Sequence, residues 1–206
     1  MLTVHHLGIS QSDRIVWLCE ELAIPYELIR YDRDAVTRLA PAAYKALHPS
    51  GTAPVITEDG LSLAESGAII DYIVAKHGDG QLTLTADHPN FAQYLYWYHF
   101  ANGSLMPSMM GLMGGGAIQP LMRERADRGL AALEAHFADG HVWLAGDTFT
   151  IADIMILFPL TTMRAFVPLD LAPYPGIRAY LRRAVERPAF KAAKAKADPD
   201  LILQLD

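Results

Sequence analysis

Apolar residues recur at two different periods along this chain, and the change near residue 78 restricts it to a composite fold. Leu2 to Ile9 is a short apolar run that reads as a strand. Residues 12–23 place Ile15, Val16, Leu18, Cys19 and Leu22 at helical spacing, with Ser10 or Ser12 available as a cap and Pro25 blocking continuation. Tyr26 to Tyr31 alternates as a second strand, and Ala40 to Leu47 reads as a short helix. Pro54 to Thr57 and Leu61 to Leu63 flank Glu58-Asp59-Gly60, whose last two residues are a hairpin turn signal. Ser66 to Lys76 returns to helical period and is closed by Gly78 and Gly80.

Beyond a polar stretch at 79–87, nothing reads as a strand. Pro89 to Leu112, Gln119 to Ala138, Ala152 to Arg164 and Pro173 to Arg187 carry helix-length apolar patterns, and Gly114-Gly115-Gly116 separates the first two. The expectation is an α/β domain over 1–78, a linker over 79–87 and an all-helical domain over 88–206. Thr150 to Asp153 reads as a capping box with Phe149 as its hydrophobic staple, a folding element and not a catalytic one. Lys191, Lys194 and Lys196 read as a solvated helix end.

Composition removes several function classes. At 206 residues the folded chain should bury roughly 70% of its unfolded surface without staples. A hydrophobic share of 51% against 19% charged excludes disorder. Seventeen basic and 23 acidic residues give a net charge of −6 with no basic run, so nucleic acid is not an expected partner. The longest apolar stretch, Ile151 to Leu169, is interrupted by Asp153, Pro159, Arg164 and Pro168, so no membrane span is expected. Cys19 is the single cysteine, which fits a reducing compartment. With no secretory signal pattern at Met1 to His6, a cytoplasmic location follows as the expectation. His5 and His6 point to opposite faces of a strand, no histidine pair has metal-ligand spacing, and no metal is expected.

Four motifs, in order and spacing, resemble the cytosolic glutathione S-transferase superfamily, in particular its bacterial serine-type members. They are Ser10-Gln11-Ser12-Asp13-Arg14, His48-Pro49-Ser50-Gly51-Thr52-Ala53-Pro54-Val55, Leu63-Ala64-Glu65-Ser66-Gly67-Ala68-Ile69 and Thr150-Ile151-Ala152-Asp153. The resemblance covers essentially the whole chain. It implies a thioredoxin-like α/β N-terminal domain, an all-α C-terminal domain, and conjugation of glutathione to small apolar electrophiles. Glutathione is then a co-substrate, with no cofactor. It also implies a homodimer that uses apolar positions in Leu61 to Ala68 and Phe91 to Tyr98. The alternatives are a non-catalytic glutathione- or protein-binding module on the same fold, or a glutathione-dependent peroxidase or isomerase.

A free thiol has a pKa of about 8.5, so a transferase must raise its thiolate fraction. A hydroxyl at a helix N-terminus does this by donating to the anion, and the helix dipole adds to the effect. Ser10, four residues before Arg14, matches the position where serine-type members carry that hydroxyl, and Ser12 is the alternative. As plain helix caps, neither would act on a thiol. No tyrosine occupies Leu7 to Ser10, and Cys19, two turns into its helix, reads as core. The resemblance further implies that Glu65 and Ser66 hold the γ-glutamyl end, and that a cis Pro54 turns the backbone of Val55 outward to pair with the cysteinyl unit. Lys45 and His48 are the candidate cations for the glycyl carboxylate, although Thr52 and His48 depart from the residues many relatives carry there. Asn102, Ser104 and Met106 are candidate walls of the electrophile site, because Gly103 and Pro107 should loosen the helix beside them.

Overall fold

The computed structural model describes residues 1–206, which divide into two compact units. The first comprises Met1–Gln81 together with Arg187–Leu201, and the second Leu82–Glu186 with Ile202–Asp206.

The first unit is a four-stranded mixed sheet with helices. Its elements are β1 (Thr3–Leu7), α1 (Asp13–Glu21), β2 (Glu27–Tyr31), α2 (Ala42–Lys45), β3 (Val55–Glu58), β4 (Leu61–Ala64) and α3 (Ser66–His77). The sheet order is β2-β1-β3-β4. The α1 crossover makes β1 and β2 parallel, pairing Thr3 with Glu27 and Leu7 with Tyr31, while β3 runs antiparallel to both β1 and β4. Asp59, at φ 48°, and Gly60, at φ 87°, form the tight turn read from the sequence. Val4, Ile56, Ile15, Leu18, Ile69 and Ile73 are buried between sheet and helices. Cys19 lies among them, and burial pushes its thiol up to about 12, so it is an inert core residue.

A last helix, α9 (Pro188–Ala197), also belongs to this unit, so the compact units divide the chain differently from a boundary near residue 88. It packs against α1. Arg187 holds Glu21 with two bonds of 2.6 and 2.7 Å, Lys194 pairs with Asp13 at 2.8 Å, and Lys196 pairs with Glu20. Phe190 packs edge-on against Trp17 with ring centres 5.1 Å apart. Lys194 is therefore not part of a solvated helix end, whereas Lys196 stays exposed while pairing with Glu20. They face the acidic row of α1, about 180 residues away in sequence, which no local pattern displays.

The second unit is helical: α4 (Phe91–Phe100), α5 (Met106–Gly114), α6 (Gln119–Ala138), α7 (Ile151–Leu160) and α8 (Pro175–Val185). The stretch read as one helix from Pro89 to Leu112 is interrupted by a π-helical turn at Ala101–Leu105. Pro107 has no N–H for the carbonyl four residues back, so the ladder changes register there. All ten residues of α7 are buried, which makes it the central helix of the unit. Its start is fixed by the capping box: Thr150 Oγ1 accepts from the Ala152 N–H, and Asp153 Oδ2 accepts from the Thr150 N–H at 2.9 Å. Asp153 Oδ1 accepts further bonds from the Leu144 N–H and the Tyr180 hydroxyl, both at 3.1 Å. Complete burial pushes the Asp153 carboxyl up to about 6, against the pull of these donors. No helix of the chain is long and apolar enough to cross a membrane.

Candidate active site

The junction between β1 and α1 is the most constrained backbone of the first unit. Ile9 is held at φ 50°, a left-handed conformation that β-branched residues rarely adopt. Three bonds hold it there. The Ile9 N–H donates to Asp198 Oδ1 at 2.9 Å, Arg33 Nε donates to the Gly8 carbonyl at 2.8 Å, and Arg33 Nη2 donates to the Ile9 carbonyl at 3.3 Å. Strain of this kind costs about 1–3 kcal/mol and persists where surrounding groups over-determine it. What it fixes is the position of the next residue, Ser10. Neither Arg33 nor Asp198 shows in the sequence as a site residue. The informative signal is an isoleucine where a chain turning from strand to helix would favour glycine.

Ser10 and Ser12 are both buried, but their hydroxyls are placed differently. Ser12 Oγ accepts from the Leu7 N–H at 3.1 Å, meets His6 Nδ1 at 2.9 Å and lies 2.7 Å from Ser10 Oγ. Ser10 Oγ donates to the Leu7 carbonyl at 2.6 Å and accepts from the Ser12 N–H at 3.3 Å. Ser12 is the N-cap residue of α1 by position, yet its hydroxyl caps nothing. Its own backbone is already helical, at φ −67° and ψ −14°, so the side chain turns back to the strand. The simple cap reading of the serines is thus replaced by a hydroxyl pair tied to the end of β1.

Ser66, the first residue of α3, is likewise buried. Its hydroxyl donates to Gln11 Oε1 at 3.3 Å and accepts from Arg14 Nη1 at 3.4 Å, while the same Nη1 donates to Gln11 Oε1 at 2.7 Å. Gln11 and Arg14 therefore join the β1–α1 junction to the start of α3. The sequence identified Arg14 only as a marker of the first motif and Gln11 only as a spacer within it. Glu65, immediately before α3, is exposed and held at φ 74° with no cap bond from its side chain. An exposed carboxylate thus stands at the N-terminus of a 12-residue helix, an arrangement that suits a zwitterionic ligand end.

The Ala53–Pro54 bond is cis. Val55, however, does not turn its backbone outward. It opens β3, is paired with His5 on one side and Ala64 on the other, and bonds the buried Tyr44 hydroxyl through its backbone. An added strand needs an open edge. The half-buried residue outside the ladder at this turn is Ala53, on the other side of the cis bond. Lys45 ends α2 with its side chain exposed. His48 uses Nδ1 within its own turn, accepting from the Ser50 N–H at 3.1 Å and meeting Ser50 Oγ at 2.9 Å. That bond and Gly51, at φ 62°, shape the loop before Ala53.

The three residues read as one wall in the helical unit do not share a face. Ser104 lines a cavity of about 340 Å³ with Tyr96, Phe100, Pro107 and Met122, whereas Asn102 and Met106 do not. Asn102 is half-buried in the π-turn, and its Oδ1 is buried without a hydrogen-bond partner. Of the aromatic and methionine side chains around it, Tyr94, Trp97, Tyr98 and Met109 are buried, while Tyr96, Met110 and Met113 are well exposed.

Residues 10–76 match the family described as "Glutathione S-transferase, N-terminal domain", and residues 116–183 match "Glutathione S-transferase, C-terminal domain". Glutathione S-transferase 3 of Schizosaccharomyces pombe is 31% identical over 98% of this chain and 90% of its own length. A solved glutathione S-transferase of Actinobacillus pleuropneumoniae superposes with a TM-score of 0.87 at 32% identity, covering 96% of this chain and 93% of that one. A sphingomonad glutathione S-transferase solved in complex with glutathione gives a TM-score of 0.75 at 25% identity, covering 93% and 96%. Taken with the thioredoxin-like first unit and the helical second one, these matches place the chain in the cytosolic glutathione S-transferase superfamily of enzymes.

Proposed function

We propose that this enzyme conjugates the thiolate of glutathione to small apolar electrophiles, and that the Ser10 hydroxyl stabilises the thiolate. The observation that carries this reading is the braced Gly8–Ile9 backbone, which fixes a serine hydroxyl between the end of β1 and the start of α1. Without a ligand that hydroxyl donates to the Leu7 carbonyl. Rotation about one side-chain bond redirects it to a sulfur, where it and the helix N-terminus both favour the anion. Ser12 is the weaker candidate, because it has no exposed surface and its oxygen already serves the Leu7 N–H and His6.

Around that point, Ser66 and Glu65 are assigned to the two charges of the γ-glutamyl end, Ala53 in place of Val55 to the cysteinyl backbone, and Lys45 to the glycyl carboxylate. His48 serves mainly to shape the loop that carries Ala53. Asn102, with its unused carbonyl oxygen, is the polar candidate for the electrophile, together with Met106 and Ser104. The relatives' activity and the glutathione bound to the sphingomonad enzyme support the ligand. The test is retention on immobilised glutathione followed by turnover of a halogenated nitroarene, an epoxide, an isothiocyanate and an organic hydroperoxide. Turnover of the hydroperoxide alone would favour the peroxidase reading, and binding without turnover of any would favour a binding module. Failure to bind glutathione at millimolar concentration would remove the assignment.

Glu65→Gln and Ser66→Ala should raise KM for glutathione about tenfold or more, each by removing a charge-assisted contact worth roughly 1.5–3 kcal/mol. These contacts act equally before and during reaction, so kcat should change much less. Steady-state kinetics at saturating electrophile reads the difference, and a large kcat loss at unchanged KM would reassign the roles. A cytoplasmic homodimer completes the proposal. Leu61, Leu95 and Tyr96 are exposed apolar side chains in the two segments it would use. Sedimentation should give about twice the 22.7 kDa chain mass, and a mass equal to one chain would refute the dimer.

A further inference from the structure

The hydroxyl pair at the β1–α1 junction continues inward to a second pair of buried groups. Ser10 Oγ lies 2.7 Å from Ser12 Oγ, Ser12 Oγ lies 2.9 Å from His6 Nδ1, and His6 Nε2 lies 3.2 Å from Asp198 Oδ1. None of the four side chains is more than 5% exposed. Asp198 comes from the segment after α9, and the same Oδ1 accepts the Ile9 N–H at 2.9 Å. His5, the next residue, faces the other side of the sheet, toward Tyr31 and Thr57, and takes no part.

We propose that His6, held by Asp198, accepts the glutathione proton through the two serine hydroxyls, so that Asp198–His6–Ser12–Ser10 is a relay for thiol activation. The inference rests on the reading that Ser10 meets the thiol. The step balances along the chain. The S–H bond breaks as an O–H bond forms on Ser10; the Ser10 proton passes to Ser12, and the Ser12 proton passes to His6 Nδ1. The thiol becomes thiolate, neutral imidazole becomes imidazolium, and Asp198 remains a carboxylate.

Each of the two hydroxyls has a donor and an acceptor in both states. With glutathione bound and before transfer, the Ser10 hydroxyl turns its proton from the Leu7 carbonyl to Ser12 Oγ, which also accepts from the Leu7 N–H and donates to His6. Ser10 Oγ accepts from the Ser12 N–H and the thiol. After transfer, His6 Nδ1–H donates to Ser12, Ser12 donates to Ser10, and Ser10 donates to the thiolate. The relay therefore reverses direction in the act of deprotonation and leaves the hydroxyl pointing at the charge it must stabilise.

Asp198 is suited to hold the imidazolium. Burial alone would raise its carboxyl, but with His6 as imidazolium the bond and charge of His6, the Ile9 N–H and Lys194 outweigh burial and keep the Asp198 carboxyl below the ordinary carboxylate value. The other charges facing this pair are Asp13 on α1, which is occupied by Lys194, and Arg33 after β2, which binds the Gly8 and Ile9 carbonyls. Asp198 also lines a cavity of about 270 Å³ with Arg30, Asp32, Arg38 and Asp200.

The test counts protons. At pH 8, glutathione is added to the protein in weak buffer, thiolate is read by ultraviolet absorbance and released protons by an indicator dye. The wild type should form thiolate with little proton release, because the proton stays on His6. His6→Asn places an amide N–H where Nδ1–H would stand, so it can polarise Ser12 but cannot take a proton. It should release about one proton per thiolate formed. Equal release from the two proteins would overturn the relay.

Asp198→Asn leaves the sheet residues untouched and covers the case in which His6→Asn does not fold. It should raise the bound-thiol midpoint by about one pH unit at unchanged glutathione affinity. Merely deleting a nearby negative charge would lower that midpoint, so a fall, or no change, contradicts the relay. Combining Ser10→Ala with Asp198→Asn should shift the midpoint no further than Ser10→Ala alone, since both lie on one path. A Ser10→Ala shift with no Asp198→Asn shift rejects the relay and keeps the Ser10 reading. A wild-type midpoint in Ser10→Ala rejects both.

Discussion

Asp153→Ala is expected to lower stability by about 3 kcal/mol at neutral pH, far more than an ordinary helix cap, which is worth about 1 kcal/mol. The carboxylate has no exposed surface and accepts from the Thr150 N–H, the Leu144 N–H and the Tyr180 hydroxyl. Alanine leaves these buried donors without an acceptor, and each orphaned group costs about 1–3 kcal/mol. The shift in Tm should be roughly 10 °C for a chain of this size. The loss also has a sign in pH. Burial pushes the folded Asp153 carboxyl up to about 6, whereas in the unfolded chain it has the ordinary aspartate value of 3.8. Between those values the folded state holds more protons, so this group's contribution falls as pH rises through the window. The gap between wild type and Asp153→Ala should therefore be wider at pH 4.5 than at pH 7.5. Paired thermal melts read both quantities, and a variant that melts like the wild type would exclude a folding role for Asp153.

Ser10→Ala is expected to slow conjugation about 10–100-fold at pH 6.5 and only a few-fold at pH 9. Losing the hydroxyl should raise the bound-thiol pKa by about 1–2 units, since one pKa unit corresponds to 1.36 kcal/mol of differential stabilisation. At pH 6.5 that difference removes most of the thiolate, while at pH 9 most of the thiol is ionised either way. KM for glutathione should change little, because the ligand's two charged ends and its cysteinyl backbone are held elsewhere. Ser12→Ala, if Ser12 only positioned Ser10, would cost stability through the Leu7 N–H it leaves unpaired. Under the relay it also loses rate. A Ser12→Ala profile that falls while Ser10→Ala follows the wild type would move the hydroxyl role by two residues.

Elements whose partners are near in sequence were the legible ones. The period-2 runs, the Asp59-Gly60 turn and the long apolar face of α7 each carry their signal within one window. The serines were legible as candidates because both lie at the junction of a strand and a helix. What the hydroxyls do was not, because it depends on His6 across the strand end and on Asp198 nearly 190 residues later. The same distance hid α9: Lys194 looks solvated until Asp13 is placed opposite it. Val55 was misread for a different reason. The turn before it was identified correctly, but an open edge was assumed for a strand that has neighbours on both sides. The π-turn at Ala101–Leu105 was foreshadowed by Pro107, yet the face that each residue would present depends on the exact register change.

The most direct test of thiol activation by this chain is the ultraviolet titration of glutathione bound to the wild-type protein, repeated with Ser10→Ala. The bound thiol should ionise about 1–2 units below the free thiol in the wild type and return most of the way in the variant, keeping only the part due to the helix N-terminus. A bound thiol that ionises at the free value, or a wild-type midpoint unchanged by Ser10→Ala, would contradict the account.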